Sequence, residues 1–192
     1  INDVGIEAFN AASKTIKTLQ LCNGFIYRED KSYEILFDDK LQALEEIINN
    51  SDGPVLVSYQ FKADLERLLK FFPQGKHLDK DPQTIKDWND GLIPILFAHP
   101  ASAGHGLNLQ YSCNVLVFFS IGWNLEHHEQ IIERIGPLRQ KQAGFDRPVY
   151  IHYILTKDTI EDIVKSRLET KSDVQQTLLN YLNRKNNDWS KI

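Results

Sequence analysis

Two parts of this 192-residue sequence are best suited to chemistry: a pair of arginines and a run of small residues. Glu126, Gln130 and Arg134 recur every four residues, so a helix would set them on one face. A guanidinium there carries fixed charge to a phosphate and can act as a finger while a terminal phosphoryl group departs. The same spacing also describes an exposed helix with a surface ion pair, worth under about 1 kcal/mol. The second part, residues 99–110, reads His-Pro-Ala-Ser-Ala-Gly-His-Gly-Leu-Asn-Leu-Gln. Its small residues let a backbone approach a ligand closely. Ser102 is expected to cap a helix starting near Gly104, whose free amides and dipole suit phosphate. A tight strand-to-helix turn with no ligand fits that spacing equally.

Other chemistries are set aside on residue type and spacing. His127 and His128 are neighbours, so on a helix they point about 100° apart and cannot jointly hold a metal. No metal site is expected. Asp38 and Asp39, Glu45 and Glu46, and Glu161 and Asp162 read as caps or solvated faces. Ser102 near His105 lacks the Gly-x-Ser-x-Gly elbow of a hydrolase. Gly75 and Lys76 are followed by His77, so there is no phosphate-gripping Gly-x-x-x-x-Gly-Lys-Ser/Thr loop. Cys22 and Cys113 are too few and too far apart for a disulfide framework or zinc knuckle, which fits a reduced setting.

These residues need elements to position them. Continuous apolar runs at 55–59, 93–98, 115–119 and 149–155 read as strands buried on both faces, where alternation is lost. Pro94 must stand at the start of its strand. A brief apolar run covers 33–37, and Asp38 and Asp39 are candidate caps for the helix after it. Helical spacing is found at 4–21, with Gly24 as a stop, at 61–72, at 82–88 with Pro82 in the first turn, and at 159–182. Strands alternating with helices imply a parallel sheet covered on both sides, with ligands off the carboxyl ends of its strands.

Composition bounds the rest. The hydrophobic share of 42% is ordinary for a globular domain, and no apolar run reaches the roughly 20 residues that span a bilayer. Met is absent and the first residue is Ile1, so the chain is expected to be part of a longer product; no export leader is read in it. A net charge of −4 argues against nucleic-acid binding by bulk attraction, though Arg134, Arg139, Lys141 and Arg147 make a local basic strip.

The ordered set 55–60, 102–110, Trp123 with Asn124, and 130–142 resembles the second RecA-like lobe of SNF2-family DNA-dependent ATPases, in helicase superfamily two. The phage and bacterial members are the nearest in kind. The resemblance covers nearly the whole chain. It implies an α/β fold, a RecA-like parallel sheet with helices on both faces. It also implies one domain over 1–192, flanked by a helical segment at 1–24 and a helix at 158–192. Motif IV would lie at 55–60, giving Ser58 and Gln60 as DNA contacts. Motif V would bring Ser102, Ala103 and His105 to DNA and Gly104, Gly106 and Asn108 toward the nucleotide; Trp123 joins the DNA set. Motif VI would start at Gln130, also on the nucleotide side, with Arg134 on the first family arginine. Pro137 stands where the second belongs, and Arg139 could substitute if Gly136 and Pro137 break the helix.

The resemblance further implies ATP with magnesium shared with an amino-terminal lobe outside this chain, DNA as partner, no membrane, and a cytoplasmic setting in a bacterial or phage-infected cell. The chain alone would be inactive. The alternatives are a non-catalytic nucleic-acid-binding module of the same fold, and an unrelated α/β domain that takes a small phosphorylated ligand at 102–106.

Overall fold

The computed structural model describes residues 11–103 and 106–170. Helix α1 (Ala11–Cys22) ends where Gly24 takes φ +81°, and β1 (Phe25–Tyr27) then pairs antiparallel with β2 (Tyr33–Ile35). The part of the expected first helix before Ala11 lies outside the described residues. Helix α2 (Asp39–Asn49) leads to β3 (Val55–Ser58), α3 (Lys62–Phe71), the two-residue β4 (Lys76–His77) and α4 (Pro82–Asn89). Next come β5 (Ile95–Ala98), the one-turn α5 (Pro100–Ala103) and β6 (Val115–Phe118). Then α6 (Leu125–Ile135), α7 (Pro137–Gln142), β7 (Tyr150–Tyr153) and α8 (Ile160–Thr170) complete the order. Residues 171–182 of the expected last helix fall outside the described part.

Three of the four apolar runs, β5, β3 and β6, form the centre of an all-parallel sheet ordered β4-β5-β3-β6-β7. The fourth, β7, is its edge strand and is half-buried, not buried on both faces as expected, because among the described residues no strand covers its outer side. The sheet's side chains divide cleanly between two cores. Leu56, Leu96, Leu116 and Phe118 face one way, against Leu19, Trp88, Ile131, Ile135 and Val164 from α1, α4, α6 and α8. Val55, Val57, Ile95, Phe97 and Val117 face the other way, against Leu41, Leu44, Leu68 and Phe72 around α2 and α3. This is the α/β, RecA-like fold the sequence implies.

Three local readings change. Asp38 precedes α2 but makes no side-chain cap, because its carboxylate is drawn to the Arg67 guanidinium at 2.9 Å. The helix expected from Gly104 is absent from 106 onward. Pro100 starts a helix earlier, Ser102 falls inside it, and Gly106 takes a left-handed φ of +71° that an α-helix cannot contain. Glu161 is no solvated face: it is fully buried and paired with Lys40, whereas Asp162 does cap, accepting from the Thr159 amide.

Candidate functional site at the carboxyl edge of the sheet

Strands β3 and β6 are neighbours, yet α3 after β3 packs on one face of the sheet and α6 after β6 on the other. The chain therefore parts at their carboxyl ends, which opens a crevice at a topological switch point. Gln60 after β3, Pro100 of α5, Ile121 and Gly122 after β6, and His127 and His128 of α6 line a small hollow there. Helix α5 packs directly against α6. The fold thus brings Gln60, the first turn of the small-residue segment and the head of α6 to one rim.

Each part is fixed by specific contacts. Asn124 caps α6 by accepting from the His127 amide at 3.0 Å. His128 seats the helix on the sheet: its ring stacks on Phe118 with centroids 4.7 Å apart, and its Nε2 meets the Tyr153 hydroxyl at 2.9 Å. Burial lowers the His128 pKa and pushes the Tyr153 phenol up to about 12, so both stay neutral in this stack. Beside the crevice, the Tyr59 hydroxyl meets His77 Nε2 at 3.0 Å and its ring packs T-shaped with His99, centroids 5.7 Å apart, tying together the ends of β3, β4 and β5. Burial holds His99 below the usual histidine value. Beyond Gly106, Trp88 Nε1 donates to the Leu109 carbonyl at 3.0 Å and Asn89 to the Asn108 carbonyl at 3.0 Å, pinning that loop to α4.

The expected site residues divide. Gln60, Trp123 and Gln130 are half-buried at or near this edge, and Ser102, Gly106 and Asn108 are exposed. Gln130 is held to Glu126 by a 2.8 Å side-chain bond, as its helical spacing requires. Ser58 is fully buried within β3, so the expectation that its side chain touches DNA does not fit this conformation. Ala103 ends α5, and Gly104 and His105 lie outside the described residues. Helix α6 stops at Gly136, which is extended at ψ 167°, and Pro137 opens α7 in a new direction. Arg134 is only 7% exposed, whereas Arg139 on α7 is half-buried.

The basic strip is smaller than the sequence suggests. Arg147 turns inward: its Nη2 donates to the carbonyls of Gln110 at 2.7 Å and Tyr111 at 3.1 Å, and its Nε to Gln140 at 2.8 Å. Sequence reasoning also misses Asp64, Ser120 and Lys40, all buried polar residues beneath the rim. For Asp64 a signal existed, since a carboxylate three residues after Phe61 is the back-bonding half of a capping box.

Comparison with known proteins bears on the fold and the family. Protein p41 of Acyrthosiphon pisum secondary endosymbiont phage 1 is 57% identical over 187 residues, 96% of this chain and 41% of that protein. The ATP-dependent helicase YqhH of Bacillus subtilis is 28% identical over 152 residues, 74% of this chain and 26% of that protein. The crystal structure of the C-terminal part of the Fun30 ATPase domain superposes with a TM-score of 0.56 at 25% identity, covering 66% of this chain and 44% of the other. The chain is related to the SNF2-family ATPases. It has the RecA-like fold of their C-terminal lobe, as seen in Fun30. No protein-family model matches it. It spans about two fifths of the phage relative's length. Among the described residues no helix is long and apolar enough to cross a membrane.

Proposed function

We propose that this chain is the second motor lobe of an ATP-dependent DNA helicase or translocase, completing an ATP site held mainly by a first lobe. The observation that supports this most is the meeting of Gln60, α5 and the head of α6 at one switch-point crevice. Guanidinium and amide groups suit a polyphosphate, whereas magnesium prefers carboxylate and water oxygens. The reading therefore assigns to this chain Arg139, Arg134, Gln130, Gly106 and Asn108 toward the nucleotide, and leaves the metal ligands to the other lobe. Magnesium, when bound with ATP, neutralises charge on the phosphate oxygens.

Arg139 is the more accessible of the two candidate fingers, half-buried where Arg134 is enclosed, and its helix α7 lies beside the start of β6, where Gln140 Nε2 donates to the Cys113 carbonyl at 2.8 Å. Gln60, Ser102 and Trp123 face the DNA side in this reading, with Ala103, Gly104 and His105 completing the segment. They would read backbone phosphate and not base sequence. The burial of Arg134 and the proline at 137 favour a second reading, a nucleic-acid-binding lobe without coupled hydrolysis. Steady-state ATP hydrolysis separates the two. The reading expects no turnover by this chain alone and DNA-stimulated turnover by the protein carrying both lobes. DNA binding without turnover by the two-lobed protein selects the second reading.

A further inference from the structure

Beneath the crevice, Asp64 is fully buried and four groups converge on its Oδ2. The Phe61 amide donates to it at 3.0 Å and the Gln60 amide at 3.4 Å, which is ordinary capping of α3. The Ser120 hydroxyl, 56 residues along the chain, donates at 2.7 Å, and Ser120 Oγ accepts the Gln60 amide at 2.8 Å. That pair is not capping. It joins the loop after β3 to the loop after β6, the two walls of the crevice. The Gln60 side chain is laid over Gly122: a Cβ there would come within 2.6 Å of Gln60 Oε1.

The fourth donor is Asn23 Nδ2 at 3.5 Å, and Asn23 Oδ1 accepts from Lys40 Nζ at 2.8 Å. Lys40 also reaches the Phe119 carbonyl at 3.4 Å and Glu161 at 2.6 Å, and Glu161 accepts the Thr156 amide at 2.7 Å. The polar chain thus spans the carboxyl ends of β3, β6 and β7. Burying these groups costs free energy that apolar packing would not, so their return is in fixed geometry.

We infer that Asp64 and Ser120 are positioning residues, clasping the Gln60 loop to the segment that starts α6 so that both walls of the crevice keep one spacing. The inference rests on the function proposed above for its consequence, which is the placing of Gln60 on the DNA backbone. The clasp itself is independent of that reading.

The test uses the two-lobed protein with a linear DNA duplex and four variants. Ser120→Ala removes the bridging hydroxyl. Gly122→Ala pushes the Gln60 side chain away, at little structural cost because the neighbour is the end of a flexible side chain. Asp64→Ala removes the acceptor, and Asp64→Asn restores one. Half-saturating DNA should rise about tenfold in the first three while KM for ATP stays within about twofold, and Asp64→Asn should remain within about threefold of the parent. Should Asp64→Ala fail to fold, Ser120→Ala and Gly122→Ala carry the comparison. Parent-like half-saturation in both overturns the inference. Amide hydrogen exchange reads the clasp without reference to turnover: Ser120→Ala should speed exchange at Gln60 and Phe61 by about tenfold or more, and unchanged exchange overturns it. A parent protein that DNA does not stimulate refutes the proposed function, and the exchange measurement still decides the clasp.

Discussion

Asp64 has no access to solvent, and burial pushes its pKa from 3.8 to about 6 although Ser120 and the Phe61 amide favour its charged form. A folded-state value above the unfolded one means that the native protein holds a proton the unfolded chain has released. The associated stability is fully present below about pH 4 and is lost as pH rises through 6, up to about 3 kcal/mol for a shift of this size. Asp64→Asn removes that titration and keeps an acceptor. Its stability relative to the parent, measured by denaturant unfolding, should climb between pH 4 and 7 and then level off; a flat difference would show an ordinary carboxylate. Residues of this kind are hard to read in a sequence. Asp64 looks like any acid in a helix's first turn, and only the fold brings Ser120 to it. The arginines show the opposite case: their types and helical spacing were legible, but the enclosure of Arg134 depends on how α6 packs.

At the scale of elements, the buried strands were the clearest signal, since an unbroken apolar run has few other places to go. The segments β1, β2 and β4 are three, three and two residues long; β2 falls within the brief apolar run at 33–37, but none is long enough to show a strand's period. Gly24 was legible as a helix stop, but its second task was not. It turns the chain at φ +81° so that its carbonyl can accept the Leu36 amide at 2.8 Å, and a Cβ there would lie 2.2 Å from the Phe37 carbonyl oxygen. Gly91 has a similar φ of +75° and open space around it. Both alanine substitutions carry the backbone strain, of order 1–3 kcal/mol. Gly24→Ala should cost clearly more than Gly91→Ala in denaturant unfolding, because only there must the backbone move; equal costs would refute the close approach. The expected helix at Gly104 failed for a related reason. The signals for a turn and for a cap coincide in small residues, and Pro100 started the helix one turn early.

Across the whole molecule, the Lys40–Glu161 pair ties α2 to α8 over 121 positions in sequence, with side chains 4% and 1% exposed. Local sequence carries nothing of this: Lys40 reads as a surface lysine after two aspartates, and Glu161 as half of an acidic face. Removing one partner strands the other in a dry interior. Lys40→Met should cost about 3–5 kcal/mol in denaturant unfolding, and adding Glu161→Leu should recover most of it. No recovery would mean that the pair is not a mutual one. The pair lies in the polar chain under the crevice, so α8 supports the same rim that the proposed function uses.

That function is tested most directly by the turnover number for DNA-stimulated ATP hydrolysis in the two-lobed protein, parent against Arg139→Ala and Arg134→Ala. The account predicts that Arg139→Ala lowers kcat by about 10³-fold with DNA binding retained, the effect of losing a finger. A parent-like kcat in both variants, or equal turnover by this chain alone, would contradict it.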